Sequence, residues 1–158
     1  MLGFDWLTHR GDPNTAVDAD MLFTGAVPDN IEALRDRMDM VEAMSGWNNN
    51  DILRGDNLGT IDLTAVPVGA AGNTADGTYN NALNSAAQIA LIDGLQGLLD
   101  GMLGAGQTNF SAGNILLGGG GSDTIEGRGG NDLIDGDKWL NVQLSYVDAN
   151  NVEHRIDS

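Results

Sequence analysis

Large aliphatic residues recur at every ninth position late in this chain, at Leu116, Ile125 and Ile134. Two positions before each stands Asn114, Asp123 or Asp132, and between them run the hexads GGGGSD (118–123) and GRGGND (127–132). This period matches neither a helical face nor plain strand alternation. It predicts three-residue strands, each with a central inward aliphatic, alternating with six-residue turns in which glycine lets carbonyls turn inward. Two such units complete one coil, so turns two units apart stack along the same edge. A solvated acidic linker would have no reason to keep aliphatics in this register. The frame returns earlier in GWNNNDILRG (46–55), with Asp51, Leu53 and Gly55 in place, and in GFDWLT (3–8), with Asp5 and Leu7. Asn48, Asn49 and Asn50 replace the glycines of the later turns, a substitution that asparagine's tolerance of left-handed geometry allows.

The frame breaks between Gly55 and Asn114, where more than fifty residues intervene. That is too long for a structureless loop in a compact domain. Residues 58–80 are polar and rich in Gly and Ala, with Pro67, and read as loop with one strand at 60–66. From Asn84 or Ser85, as N-cap, the run SAAQIALIDGLQGLLDGMLGAG predicts a helix over 85–104. Leu91, Ile92, Leu95, Leu98, Leu99, Met102 and Leu103 form its apolar arc. Ala87, Ala90, Gly94, Gly97, Gly101 and Gly104 form an adjoining small face, and Asp93, Gln96 and Asp100 a wet strip. Its glycines, at about 1 kcal/mol each against alanine, make it a helix that forms only by packing. Two readings stand: it covers the apolar side of the coil, or its small face binds a partner or a second copy.

Towards the N-terminus, AVDADMLF (16–23) predicts a strand and PDNIEALRDRM (28–38) a short helix. After the repeats, WLNVQLSYVD and VEHRIDS flank Ala149-Asn150-Asn151 and predict a hairpin closing the open end of the coil. The expected architecture is one domain, mainly β with some α. Residues 1–45 form an N-terminal cap, 46–57 and 113–138 a split parallel β-roll, 58–112 a helical insertion, and 139–158 the closing hairpin.

Charge sharpens the picture. Seven basic residues against 23 acidic ones give −16. Such a chain repels itself when compact and is a poor partner for nucleic acid or anionic membrane, but a good one for multivalent cations. Cysteine is absent, which excludes disulfides and thiolate metal sites. No run of 18 apolar residues occurs, so membrane insertion is not expected. MLGFDWLTHRGD lacks the pattern of an N-terminal signal peptide, and VEHRIDS reads as cut from a longer polypeptide.

The two late units match G-G-x-G-x-D-x-U-x, the nonapeptide of calcium-binding parallel β-helices, with Arg128 at a usual glycine. With VEAMSGWNNNDILRGDN (41–57) as lead-in, the chain resembles the repeats-in-toxin (RTX) proteins over about a quarter of its length. The resemblance implies calcium held between stacked turns, the hard cation that such oxygens suit. Asp51, Asn114, Asp123 and Asp132 would stand at the side-chain ligand position. Carbonyls of Gly118, Gly120, Gly127, Gly129 and, in the next turn, Gly136 would complete the cages. Sites are then expected between 46–51 and 118–123, between 109–114 and 127–132, and between 118–123 and 136–138. The resemblance further implies folding on calcium after export by type I secretion from a Gram-negative cell, as part of a larger secreted protein with neighbouring domains. FSAGNILLGGGGSD and the GDKWLNV exit resemble the RTX region of secreted bacterial proteins with animal-type haem-peroxidase domains. The alternative is a calcium-stiffened spacer, or a self-associating module, of a surface adhesin.

Catalytic chemistry is not expected. His9 and His154 stand near the ends in no metal-ligand or nucleophile spacing, and solvent exposure is the default for both. Arg35 and Arg37 read as surface ion-pair partners of Asp36 and Asp39. Asp12-Pro13 is the bond type that some RTX modules cleave in themselves, but their dense aspartate loop is missing here.

Overall fold

In the computed structural model, which describes residues 4–11, 14–22, 41–57, 83, 85–110, 113–142 and 144–156, the nine-residue frame is built as short parallel strands. Strands β1 (Trp6–Thr8), β3 (Ala43–Ser45), β5 (Ile115–Leu117) and β7 (Leu133–Asp135) form one sheet in that order. Strands β2 (Asp18–Asp20), β4 (Ile52–Arg54) and β6 (Thr124–Glu126) form a second. All pairings in both sheets are parallel, and the chain alternates between the sheets strand by strand.

Register follows the aliphatic pattern. Leu7, Met44, Leu116 and Ile134 align across the first sheet, and Ala19, Leu53 and Ile125 across the second. Except for Ile134, their inward side chains, with Met21, Val17 and Val41, make the core between the sheets. A slip of one residue would turn all of them outward, so burial fixes the register. The outer face of the second sheet is polar, with Asp18, Arg54 and Glu126 in ion pairs across it. The outer face of the first sheet is apolar, and Ala43, Ile115, Leu117 and Leu133 on it are buried in a second core with Leu83, Ile89, Leu95, Leu99 and Phe110.

That second core is where the helical segment packs. It is two helices instead of the single one expected over 85–104: α1 (Ala86–Ile89), capped by the Ser85 side chain, and α2 (Leu95–Leu103). The break falls at Gly94, whose φ of 83° lies in the left-handed region and cannot continue a helix. The break also disperses the predicted apolar arc. Ile89, Leu95 and Leu99 are buried, Ile92 and Leu98 half-buried, and Leu91 is 83% exposed. Met102 and Leu103 also face outward. On the wet strip, Asp93 is exposed, whereas Asp100 accepts from the Gly106 and Gln107 amides and the Gln96 side chain. Hydrogen bonds to the Gln107 amide first, then to Gln96 and Gly106, hold the Asp100 carboxyl below its ordinary range.

A hairpin, β8 (Leu144–Val147) with β9 (Glu153–Ile156), follows the coil. Its turn is held by Asp148, which accepts from the Asn150 and Val152 amides, and Asn151 adopts φ 64°. The hairpin is a two-stranded sheet of its own and, among the described residues, pairs with neither sheet of the coil. The segment leaving β7 runs back along the coil: the Leu140 amide donates to Ser45 Oγ, Trp139 meets Trp47 edge-on, and Arg10 donates to the Val142 carbonyl. The hairpin is tied to the helical segment by Arg155 and Asp93, 2.9 Å apart. Ile134, the central aliphatic of β7, remains 39% exposed, and among the described residues no strand of the second sheet follows β7. The expected strand at 60–66, the loop around Pro67, the helix at 28–38 with Arg35 and Arg37, and Asp12-Pro13 lie outside the described residues.

Candidate metal centre

The residues immediately before the strands form two columns, one along each edge of the coil. One column is Val17, Asp51, Asp123; the other is Asp5, Glu42, Asn114, Asp132. The side chains of Glu42, Asp51, Asn114, Asp123 and Asp132 in these columns reach to backbone amides. Asp123 Oδ1 accepts from the Asp51 amide, and Asp51 Oδ1 from the Val17 amide, both at 2.9 Å. On the other edge Asp132 Oδ1 accepts from the Asn114 amide at 2.9 Å and Glu42 Oε2 from the Asp5 amide at 2.6 Å. The second oxygen of Asp51 turns back into its own turn, taking the Trp47 amide at 2.9 Å, and Asn114 Oδ1 takes the Asp56 amide at 3.0 Å. The aspartate position thus satisfies turn amides that would otherwise be orphaned where the chain reverses.

The same geometry makes oxygens converge. A Cβ placed on Gly46 would overlap both Asp51 Oδ2 and the Gly118 carbonyl oxygen. One coil on, a Cβ on Gly118 would overlap Asp123 Oδ2 and lie 2.6 Å from the Gly136 carbonyl oxygen. At each point a carboxylate oxygen and a carbonyl of the next turn share a space that only a glycine leaves open. Among the described residues no group of three or more His, Asp or Glu side chains is placed to hold a metal. An ion here must therefore draw on backbone carbonyls, and an all-oxygen set of carboxylates and carbonyls suits a hard cation. By that donor chemistry the edge of Asp51, Gly118, Asp123 and Gly136 fits calcium.

The other edge differs. A Cβ on Gly55 would overlap Asn114 Oδ1 and lie 2.5 Å from the Gly127 carbonyl oxygen, so the cradle is present, but its side chain is a neutral amide. Gly127 Cα faces Asp132 Oδ2. For Gly120 and Gly129 the contacts that place them are their amides, which donate to the Trp47 and Asp56 carbonyls at 2.6 and 3.2 Å. The 46–51 turn also departs from expectation. Among the described residues only Arg128 and Asn151 are non-glycine with positive φ, so Asn48, Asn49 and Asn50 are not left-handed. They act through side chains instead: Asn50 Oδ1 accepts from the Ser122 amide and Asn49 Nδ2 donates to the Thr15 carbonyl.

Sequence reading missed Glu42 as a member of a column, because it has neither a glycine turn before it nor an aspartate's length. Burial pushes its carboxyl up to about 8, helped by the charges of Asp5 and Asp56, against a partial offset from the Asp5 amide. Burial likewise raises Asp132, with Asp56 adding to it. A carboxyl raised on folding contributes fully at low pH and loses that contribution as pH climbs towards its folded value. In millimolar calcium, the melting temperature should therefore fall between pH 5 and 8 more steeply for the wild type than for Glu42→Gln, which keeps the acceptor for Asp5. Equal slopes for the two proteins would remove Glu42 as the cause.

Of the histidines, His9 follows β1 in register with Gly46, at the edge of Asp51 and Gly118, whereas His154 lies on the hairpin. His9 is half-buried rather than exposed, its amide donating to the Ser45 carbonyl. His154 is exposed, stacks on Tyr146 at 5.0 Å and meets Asp148 at 3.0 Å. A cleft of about 720 Å³ lies between the helical segment, Trp6, the returning 137–142 segment and the hairpin, and neither histidine lines it. No helix of the described residues is long and apolar enough to cross a membrane. Compared with known proteins, the chain matches no family model, no curated protein and no solved structure.

Proposed function

We propose that this chain is a calcium-binding module of the RTX kind: a short parallel β-roll, with a helical insertion in one turn, that folds as it takes the ion. One observation carries the reading: in two successive stacked turns, an aspartate oxygen and the next turn's carbonyl converge on the glycine that opens the turn. Calcium, when bound, supplies the positive charge that this acidic chain lacks. Asp51 and Asp123 would hold it with the carbonyls of Gly118 and Gly136, while their backbone hydrogen bonds orient the carboxylates in the stacked coil. Because the ligands come together only when the coils stack, binding free energy becomes folding free energy. Affinity in the range of roughly 10⁻⁴ to 10⁻³ M is expected of extracellular calcium modules. The module would then stay loose at low cytosolic calcium and fold outside the cell, within a larger secreted protein.

The test is far-UV circular dichroism from chelator to about 10 mM calcium, a range that spans such affinities, with magnesium as control. A cooperative gain of ordered signal with calcium alone is expected. An unchanged spectrum of a chain already folded in chelator would refute calcium-coupled folding.

A further inference from the structure

Arg128 stands where the repeat has glycine, in left-handed conformation at φ 68°. Its guanidinium does not extend into solvent. It crosses the edge of the second sheet, grips both oxygens of Asp20 at 2.5 and 2.8 Å, and donates through Nη1 to the Gly55 carbonyl at 2.9 Å. Glu126 lies 3.7 Å from Nε. Asp20, two strands away on β2, is held below its ordinary range chiefly by this hydrogen bond. Gly55 opens the turn that ends at Asn114, so its carbonyl, with that of Gly127, is among those that the repeat would offer to an ion between that turn and 127–132. The same turn pair has lost its carboxylate at Asn114, whose amide is engaged with Asp56 through both its oxygen and its nitrogen.

Building on the calcium reading, we propose that Arg128 replaces the calcium ion at the turn pair 55–57 and 127–132, so that this module takes calcium along one edge only. The guanidinium is a permanent cation with planar donors, suited to a carboxylate and a carbonyl at once. A divalent ion placed beside it would meet a like charge, a Gly55 carbonyl already engaged and the neutral amide of Asn114, with Asp132 as the one carboxylate of the pair. The opposite edge has none of these features: Asp51 and Asp123 are both carboxylates, and Gly119 holds the place that Arg128 takes here.

The experiment counts calcium ions by isothermal titration in the wild type, Asp123→Asn and Asp132→Asn. Asp123→Asn should lose at least one ion or weaken binding by about tenfold or more, since ligand charge sets calcium affinity, whereas Asp132→Asn should keep the wild-type count and affinity. Loss of an ion in Asp132→Asn would overturn the proposal, because that edge would then already be loaded. A wild type that binds no calcium would overturn the calcium reading and this inference with it, a result distinct from binding on the wrong edge. As a second measurement, Arg128→Gly combined with Asn114→Asp restores the repeat's residues and should bind one ion more than the wild type. An unchanged count in that folded double variant would count against Arg128 as the ion's replacement.

Discussion

Asp51→Ala should destabilise the chain more than any other single truncation of a polar side chain on the coil. Asp51 is 1% exposed and accepts from two backbone amides, Val17 and Trp47, that belong to different coils. Alanine leaves both donors without their partner, at about 1–3 kcal/mol for each that stays buried. The total is a large share of the 5–15 kcal/mol by which domains are ordinarily stable. Asp51→Asn should fall between, because an amide offers one acceptor and presents hydrogens to the other donor. At position 114 asparagine is tolerated because Asp56 Oδ1 lies 3.3 Å from its nitrogen. Urea unfolding followed by circular dichroism, in millimolar calcium, would order the three proteins. Asp51→Ala as stable as Asp51→Asn would show that the hydrogen bonds are not what the side chain contributes.

The second large effect is a reversal of sign for one substitution at two glycines. Gly119 has φ 98°, and a Cβ there would overlap the Trp47 carbonyl, which also accepts from Gly120. Gly119→Ala meets left-handed strain of roughly 1–2 kcal/mol and forces backbone against backbone, so the turn must shift and the stacking bond with it. Gly97 lies within α2, and no described atom stands within 4 Å of where its Cβ would be. Gly97→Ala should stabilise by about 0.5–1 kcal/mol, the ordinary gain inside a helix. Melting temperatures should therefore move in opposite directions. A drop at Gly97 would mean that the small face is filled in solution.

How much of this was legible before the structure follows from what each feature depends on. The strands at 52–54, 115–117, 124–126 and 133–135, and the alignment of Leu116 with Ile134, follow from a local nine-residue period. Asp5 and Leu7 could be put in frame from six residues. Glu42 could not, because its place in a column is fixed by the pairing of β3 with strands far away in the chain. The helix break falls at Gly94, but a helical period also accommodates glycine, and the sequence alone does not separate a kink from a continuous rod; in the structure Ile89, Leu95 and Leu99 share a core with Leu83 and Phe110. The path of 137–142 was hidden for a different reason: it is set by Ser45, Trp47 and Arg10, more than ninety residues upstream. Arg128 could be seen as a departure from the repeat, but not where its side chain goes.

The long segment between β4 and β5 also sets an order of events in folding. Asn114 and Asp132 are joined across 18 residues, whereas Asp51 and Asp123 are joined across 72. Each doubling of a flexible loop adds only about 0.6 kcal/mol to its closure, so the late strands gain a head start of about 1.2 kcal/mol over their pairing with the early ones. By the same rule β1 and β2 meet β3 and β4 across only 37 and 34 residues, so each half of the coil closes on itself more readily than the 72-residue span that joins β4 to β6. A ribosome releases β1 to β4 first, so what must wait for the end of synthesis is the joining of the two halves, not the pairing of the early strands with each other.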